Sequence, residues 1–275
     1  MDRDKLLGEF LRARREVTTP RQVGLVDAGY RRTPGLRREE VAMLAGVSND
    51  YYIRLEQGRE RNPSMQVLDA LVQALDLGPD AAAHLHALAR PQASTRRSAA
   101  PVDQVHPNVL RLLESWEHAP AYVVNHRLDV LAKNEMATAL YEGLEHNDNL
   151  LRLALLNPAA HEFYLDWETD THSKVAHLRA AAGTHGTDAF VIELVEELSR
   201  ESEEFRRLWD RHDVEARTRA PVRFHHHEVG DVFTSMEVLT IDSTPGQKII
   251  VFQAEPGSPS EAALALLSDL TRHDV

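Results

Sequence analysis

The sequence predicts a two-domain chain: an all-α, five-helix head carrying a helix-turn-helix, then an α+β body built on a five-stranded antiparallel sheet. Three observations predict it. The stretch LRREEVAMLAGVSNDYYIRLEQG, residues 36–58, reads as two short helices around a tight corner. Beyond residue 107 the periodicity runs two strands, a series of helices, three strands and a last helix, the order of a sheet with helices over one face. Charge divides along the same line. Residues 1–100 carry 16 Lys/Arg against 13 Asp/Glu, a net of +3, whereas residues 101–275 carry 15 against 30, a net of −15. That asymmetry suits a head that approaches a polyanion and a body that a polyanion repels.

In the head, Leu7, Phe10 and Leu11 recur at helical spacing, which predicts a first helix from Asp4 to Glu16. A Pro- and Gly-broken segment with Arg31 and Arg32 follows. The next helix is expected over Arg37–Ala45, with Val41, Ala42, Leu44 and Ala45 inward. Gly46 and Val47 turn the corner, and Ser48 caps a second helix that ends at Gly58. Tyr52 and Leu55 face inward there, leaving Asn49, Asp50, Tyr51 and Arg54 outward. Ser64 caps a fourth helix through Leu75, and Asp80–Ala89 is the fifth. A helix-turn-helix places its second helix in the major groove of DNA. Asn reads adenine and Arg reads guanine through paired hydrogen bonds, so Asn49 and Arg54 are the expected readers. Asp50 suits a cytosine amino group or the positive helix end, and Ser48 and Tyr51 flank the same edge. Arg37, Arg38, Arg59 and Arg61 are the expected phosphate contacts.

Residues 91–107, PQASTRRSAAPVDQVHP, have no periodicity and read as a linker between a head over 1–90 and a body over 108–275. In the body, Val109 to Trp116 is helical. AYVVNHRLDVLAKN alternates like two strands around Asn125–Arg127, and Asn134 caps the following helix. Helices are expected near 147–156, 158–183, 187–200 and 202–212, then strands at Val222–Val229, Asp231–Ile241 and Gln247–Ala254. Ser258, Pro259 and Glu261 form a capping box opening the last helix.

Two resemblances sharpen these readings. LxxxR in the first helix, EEVAxLAGVS, YxxLEQGR and NPSxxVLDALxxAL resemble the Cro/repressor-type (XRE) helix-turn-helix domain. That resemblance implies an ion pair between Arg15 and Glu56. RTPGLRREEVA, HEFYLDW, VAHLRAAAG, ELSRESEEFRRLWDRHDV, HHHEVG and VFQAEPGSPSEAALALL resemble the MmyB-type regulators, whose body is a PAS-like ligand-binding domain. The sequence departs from the usual His-Pro at His226-His227. The resemblance implies a bacterial transcription regulator that senses a small hydrophobic ligand, a long-chain fatty acid in that family. A carboxylate needs a cation or donors and its tail needs an apolar wall. Arg179, His212 and His226 are the head-group candidates; Tyr122, Trp167, Phe205, Trp209 and Met236 are the wall candidates.

Composition and missing motifs set the rest. No cysteine is present, so disulfides and thiolate metal sites are excluded. No apolar run reaches the length of a membrane span and the first residues lack a secretory pattern, so a cytoplasmic protein without a membrane partner is expected. His225, His226 and His227 alternate across a strand and cannot all share an ion. HExxH, GxSxG, GxxxxGK[ST] and GxGxxG are absent. The expectation is therefore a non-enzyme with no cofactor. Its partners would be an operator in double-stranded DNA, a small hydrophobic ligand and a second copy of itself. The alternative is a DNA-binding regulator whose body only dimerises or docks a protein.

Overall fold

The computed structural model describes residues 3–25, 34–60, 62–89, 103–185, 188–214 and 219–273. The expected phosphate contact Arg61, the arginines Arg31 and Arg32, and most of the expected linker lie outside them. Two compact units emerge. The first comprises residues 1–95, 179–196 and 206–216; the second comprises 96–178, 197–205 and 217–275.

The first unit opens with the five helices of the head: α1 (Arg3–Val17), α2 (Arg38–Leu44), α3 (Asn49–Glu56), α4 (Met65–Ala74) and α5 (Pro79–Ala89). Ser48 and Ser64 cap α3 and α4 by accepting from Tyr51 N–H and Val67 N–H. Between α2 and α3, Gly46 takes φ +66°, the left-handed conformation that this corner demands. Leu7, Phe10, Leu11, Leu36, Val41, Tyr52, Leu55, Leu68, Leu71 and Leu85 close the core. Gly8 lets α1 and α3 approach closely, since a Cβ there would sit 2.4 Å from the Glu56 carbonyl oxygen.

Arg15 and Glu56 form the expected buried ion pair, and Arg38 adds a second bond to Glu56 at 2.7 Å. Burial alone would raise the Glu56 pKa. Hydrogen bonds from Arg15 and Arg38 outweigh it and hold the carboxyl below its usual range.

The second unit contains α6 (Pro107–Glu114), β1 (Ala121–Val124), β2 (Val130–Lys133), α7 (Glu135–Leu140), α8 (Leu150–Leu156) and α9 (Ala160–Phe163). Next come α10 (Trp167–His185), α11 (Ala189–Glu201) and α12 (Glu203–Trp209), parts of which belong to the first unit. β3 (Arg219–His226), β4 (Gly230–Thr240), β5 (Lys248–Ala254) and α13 (Pro259–His273) complete the chain. The five strands form one antiparallel sheet in the order β2-β1-β5-β4-β3. α6 seals one face through Val109 and Leu113 against Ala121, Val123, Ile249 and Val251. The other face carries Tyr122, Val124, Lys248, Ile250 and Phe252, the alternate residues of the same strands.

Most expected elements are present, with shifted ends. The single helix expected at 158–183 is two, α9 and α10. It breaks because Tyr164 bridges Phe224, and Leu165 N–H bonds the Arg223 carbonyl at 3.1 Å. β3 begins three residues before the expected Val222 and passes through Pro221. An edge strand tolerates that proline, whose missing N–H costs no ladder bond on the open side.

Candidate functional site

The helix-turn-helix presents a polar edge. Asn49, Asp50 and Arg54 are exposed along α3 and Tyr51 is half-buried, while Arg37 and Arg38 stand exposed at the start of α2 and Arg59 beyond α3. Their states differ. Ser48 spends its hydroxyl on the α3 cap. Arg54 bonds Glu60 at 3.0 Å and lies 5.7 Å from the centre of the Tyr51 ring. Arg38 is held by Glu56, which fixes its stem and leaves 46% of the side chain exposed. The arrangement leaves Asn49 and Arg54 exposed on the N-terminal half and middle of α3, with exposed arginines to either side.

In the second unit, residues of α10 and of the sheet bound a partly open cavity of about 70 Å³. Tyr122, Val124, Met236, Val238, Ile250 and Phe252 supply its sheet wall, and Leu128, Tyr141, Leu150 and Tyr164 its sides. Asp170, Ser173, Lys174 and His177 hang from α10 at positions one helical face apart. Lys248 enters from the start of β5.

These polar groups are not equivalent. Lys174 is paired with Asp170 and lies 4.3 Å from the Tyr164 ring centre. Lys248 has no ion pair among the described residues, and burial pushes its pKa down. His177 is driven to a pKa of about 4 by burial, with the positive charge of Lys248 and His126 adding to it. The cavity is thus an apolar slot with an uncompensated ammonium and a neutral imidazole at one end. That end suits an anionic head group.

The eight expected ligand residues do not gather at one place. Tyr122 and Met236 line the cavity. Trp167 is half-buried, donates to the Ala154 carbonyl at 2.7 Å and stacks on His161. Phe205 is fully buried in packing. His226 is buried, its Nε2 3.2 Å from the Ala139 carbonyl, beside an open cleft with His225 and His227.

Arg179, Trp209 and His212 come together instead in the first unit, beside His84, around a void of about 10 Å³. The Arg179 guanidinium lies 3.6 Å from the Trp209 ring centre and donates to the Trp209 carbonyl. Burial lowers Arg179 to about 10 and His84 to about 4, and burial with Arg179 nearby takes His212 to about 3.

Of the cavity residues only Tyr122 and Met236 were expected; those missed include Lys248, His177, Lys174, Tyr141 and Tyr164. One signal was available for the first: Lys248 shares strand parity with Ile250 and Phe252, so an otherwise apolar inward face begins with a lysine. Among the described residues no group of three or more His, Asp or Glu could hold a metal ion. No described helix is long and apolar enough to cross a membrane.

Comparison with known proteins finds two family models that match the chain. Residues 6–85 match a helix-turn-helix domain, and residues 105–267 match the MmyB-like transcription regulator ligand binding domain. No curated protein matches the chain. The second match spans more than half of the chain, and the first covers the helices that carry Asn49 and Arg54. The chain belongs to the MmyB-like transcription regulators, DNA-binding proteins with a helix-turn-helix domain and a ligand-binding domain.

Proposed function

We propose that this regulator binds an operator as a homodimer and that an apolar carboxylic acid of the fatty-acid class, seated in the cavity under α10, changes its operator affinity. The observation that carries the ligand class is Lys248, a half-buried ammonium without an ion pair, facing an apolar wall of Tyr122, Ile250, Phe252 and Met236. Leaving such a charge uncompensated is costly, and a carboxylate removes that cost. His177 completes the head-group end by donating one ring N–H. Homodimerisation follows from the motif, since a helix-turn-helix gains affinity by placing two copies on half-sites about one helical turn apart.

Native and then denaturing mass spectrometry of the purified protein tests the ligand class, and titration of the stripped protein with hexadecanoate tests the anchor. The acid should bind, and Lys248→Met should weaken it about tenfold or more, the worth of a charge-assisted hydrogen bond. Equal affinity in the variant would remove Lys248 from the site.

The small volume of the cavity favours one other reading. At about 70 Å³ it lies well below the roughly 300–1,000 Å³ of ordinary ligand clefts. A body that only dimerises or docks a protein would have such an interior. No binding of any acid to the stripped protein, with a dimer in sedimentation, would favour that reading.

A further inference from the structure

The parts of α1, α5, α10 and α12 that belong to the first unit surround a buried cation. Arg179 on α10 is 6% exposed, stacks on the Trp209 ring and donates a terminal N–H to the Trp209 carbonyl. Its Nε is buried and has no hydrogen-bond partner among the described residues. The acids whose field reaches Arg179 are Glu9 and Asp210, and neither bonds it. Glu9 lies 3.8 Å from Lys5, and Asp210 is exposed. Asp213, nearby in sequence, is taken by Arg14 at 3.1 Å and Arg211 at 2.8 Å.

The void of about 10 Å³ beside Arg179 is walled by Leu6, Phe10, Leu88 and Ala182, with His84 and His212 as its other titratable groups. His84 is fixed in place by two neighbours. Its ring meets Phe10 edge-on with centres 5.1 Å apart, and a Cβ on Gly183 would sit 2.2 Å from its Cε1. Both imidazoles are uncharged at pH 7, because burial and the Arg179 charge lower them, so each offers one ring N–H. Arg179 itself keeps its charge there. An uncompensated charge in apolar surroundings is costly. A water molecule in the void would satisfy Nε without offsetting that charge. A carboxylate or phosphate group is too large, since the space holds about one small sphere.

We infer that this cluster is a halide site, holding one chloride ion between the Arg179 Nε–H and the ring N–H groups of His84 and His212. The donors converge from α5, from α10 and from the residues after α12, so the ion braces these elements within the first unit. The site shares no lining residue with the cavity at Lys248, and the inference stands apart from the ligand proposed there.

The test is the melting temperature of the full chain at neutral pH in sodium chloride against sodium gluconate of equal ionic strength. Chloride should raise it by about 2–4 °C in the wild type. Arg179→Met removes the buried charge and keeps an unbranched apolar chain, and the increment should vanish in it. No increment in the wild type, the result expected of a void that holds water, would overturn the site. An equal increment in both proteins would overturn it too, by placing the halide effect elsewhere. If the variant does not fold, crystals of the wild type grown with bromide decide by anomalous scattering. A peak within hydrogen-bond reach of Arg179 Nε supports the site, and the lack of one there overturns it.

Discussion

Glu56 illustrates how much rests on single side chains. It is buried at the end of α3 and receives Arg15 from α1 and Arg38 from α2, so it fixes the helix that carries the exposed Asn49 and Arg54. Glu56→Ala leaves Arg15 buried without its partner and should destabilise the head by about 3 kcal/mol, measured by urea unfolding. Arg54 sits in the open between Glu60 and Tyr51. Arg54→Ala should leave stability almost unchanged and cost about 1–3 kcal/mol of specific binding if it reads a base. Undiminished operator preference in that variant would remove Arg54 from the readers. The Arg15–Glu56 pair was legible only through the resemblance to the Cro/repressor-type domain, which implies it. Lys248 and His177 were less so: their roles depend on residues of α10 meeting the sheet, and no local periodicity encodes which helix covers which strand. Arg179, Trp209 and His212 show the same limit from the other side. Their chemistry suited a carboxylate, but helical spacing does not say which of two units a helix face joins.

At the scale of elements, the β1–β2 hairpin and the start of β5 link the cavity to the chain emerging from the 91–102 segment. Leu128 lines the cavity with φ +64°, an unfavourable conformation for a leucine, inside a turn locked by side chains. Asn125 and Arg127 of that turn both hold Asp103, at 2.9 and 3.1 Å. Gln247, next to Lys248, donates to the Gln104 carbonyl at 3.1 Å. A ligand that displaces Leu128 or draws Lys248 inward therefore acts on groups bonded to residues 103–104. Asp103→Ala should keep hexadecanoate affinity and lose the effect of hexadecanoate on operator affinity. A full operator response in that variant would show that the signal leaves the cavity elsewhere. The hairpin, the Asn134 cap and the Ser258 cap were readable, since turn and cap chemistry is local, although Glu261 accepts from Gly257 N–H and not from Ser258 N–H as a capping box would have it. The break between α9 and α10 was not, because a contact with β3, far along the chain, imposes it.

For the molecule as a whole, three imidazoles set the acid response: His84, which is buried, and His177 and His212, which are half-buried. His84 and His177 have pKa values near 4 and His212 near 3, below the ordinary 6.5. Above 6.5 they are neutral in folded and unfolded chains alike and their contribution to stability is constant. Between 6.5 and about 4 the unfolded chain binds protons that the folded chain refuses, so stability falls as pH drops through that window. The melting temperature should decline steeply from pH 6.5 to 4, and replacing His177 with Gln should make the decline shallower. A melting temperature that stays level over that range would mean these imidazoles protonate in place. The net charge of −12 masks a chain whose halves differ in sign, and that contrast agrees with a DNA-facing head on an acidic body. The central claim is that the cavity and the operator are coupled, which requires the ligand to distinguish two states of the protein. The most direct measurement is the operator dissociation constant of stripped protein against protein saturated with hexadecanoate, at one salt concentration. The account predicts a difference of about fivefold or more; identical constants would contradict it.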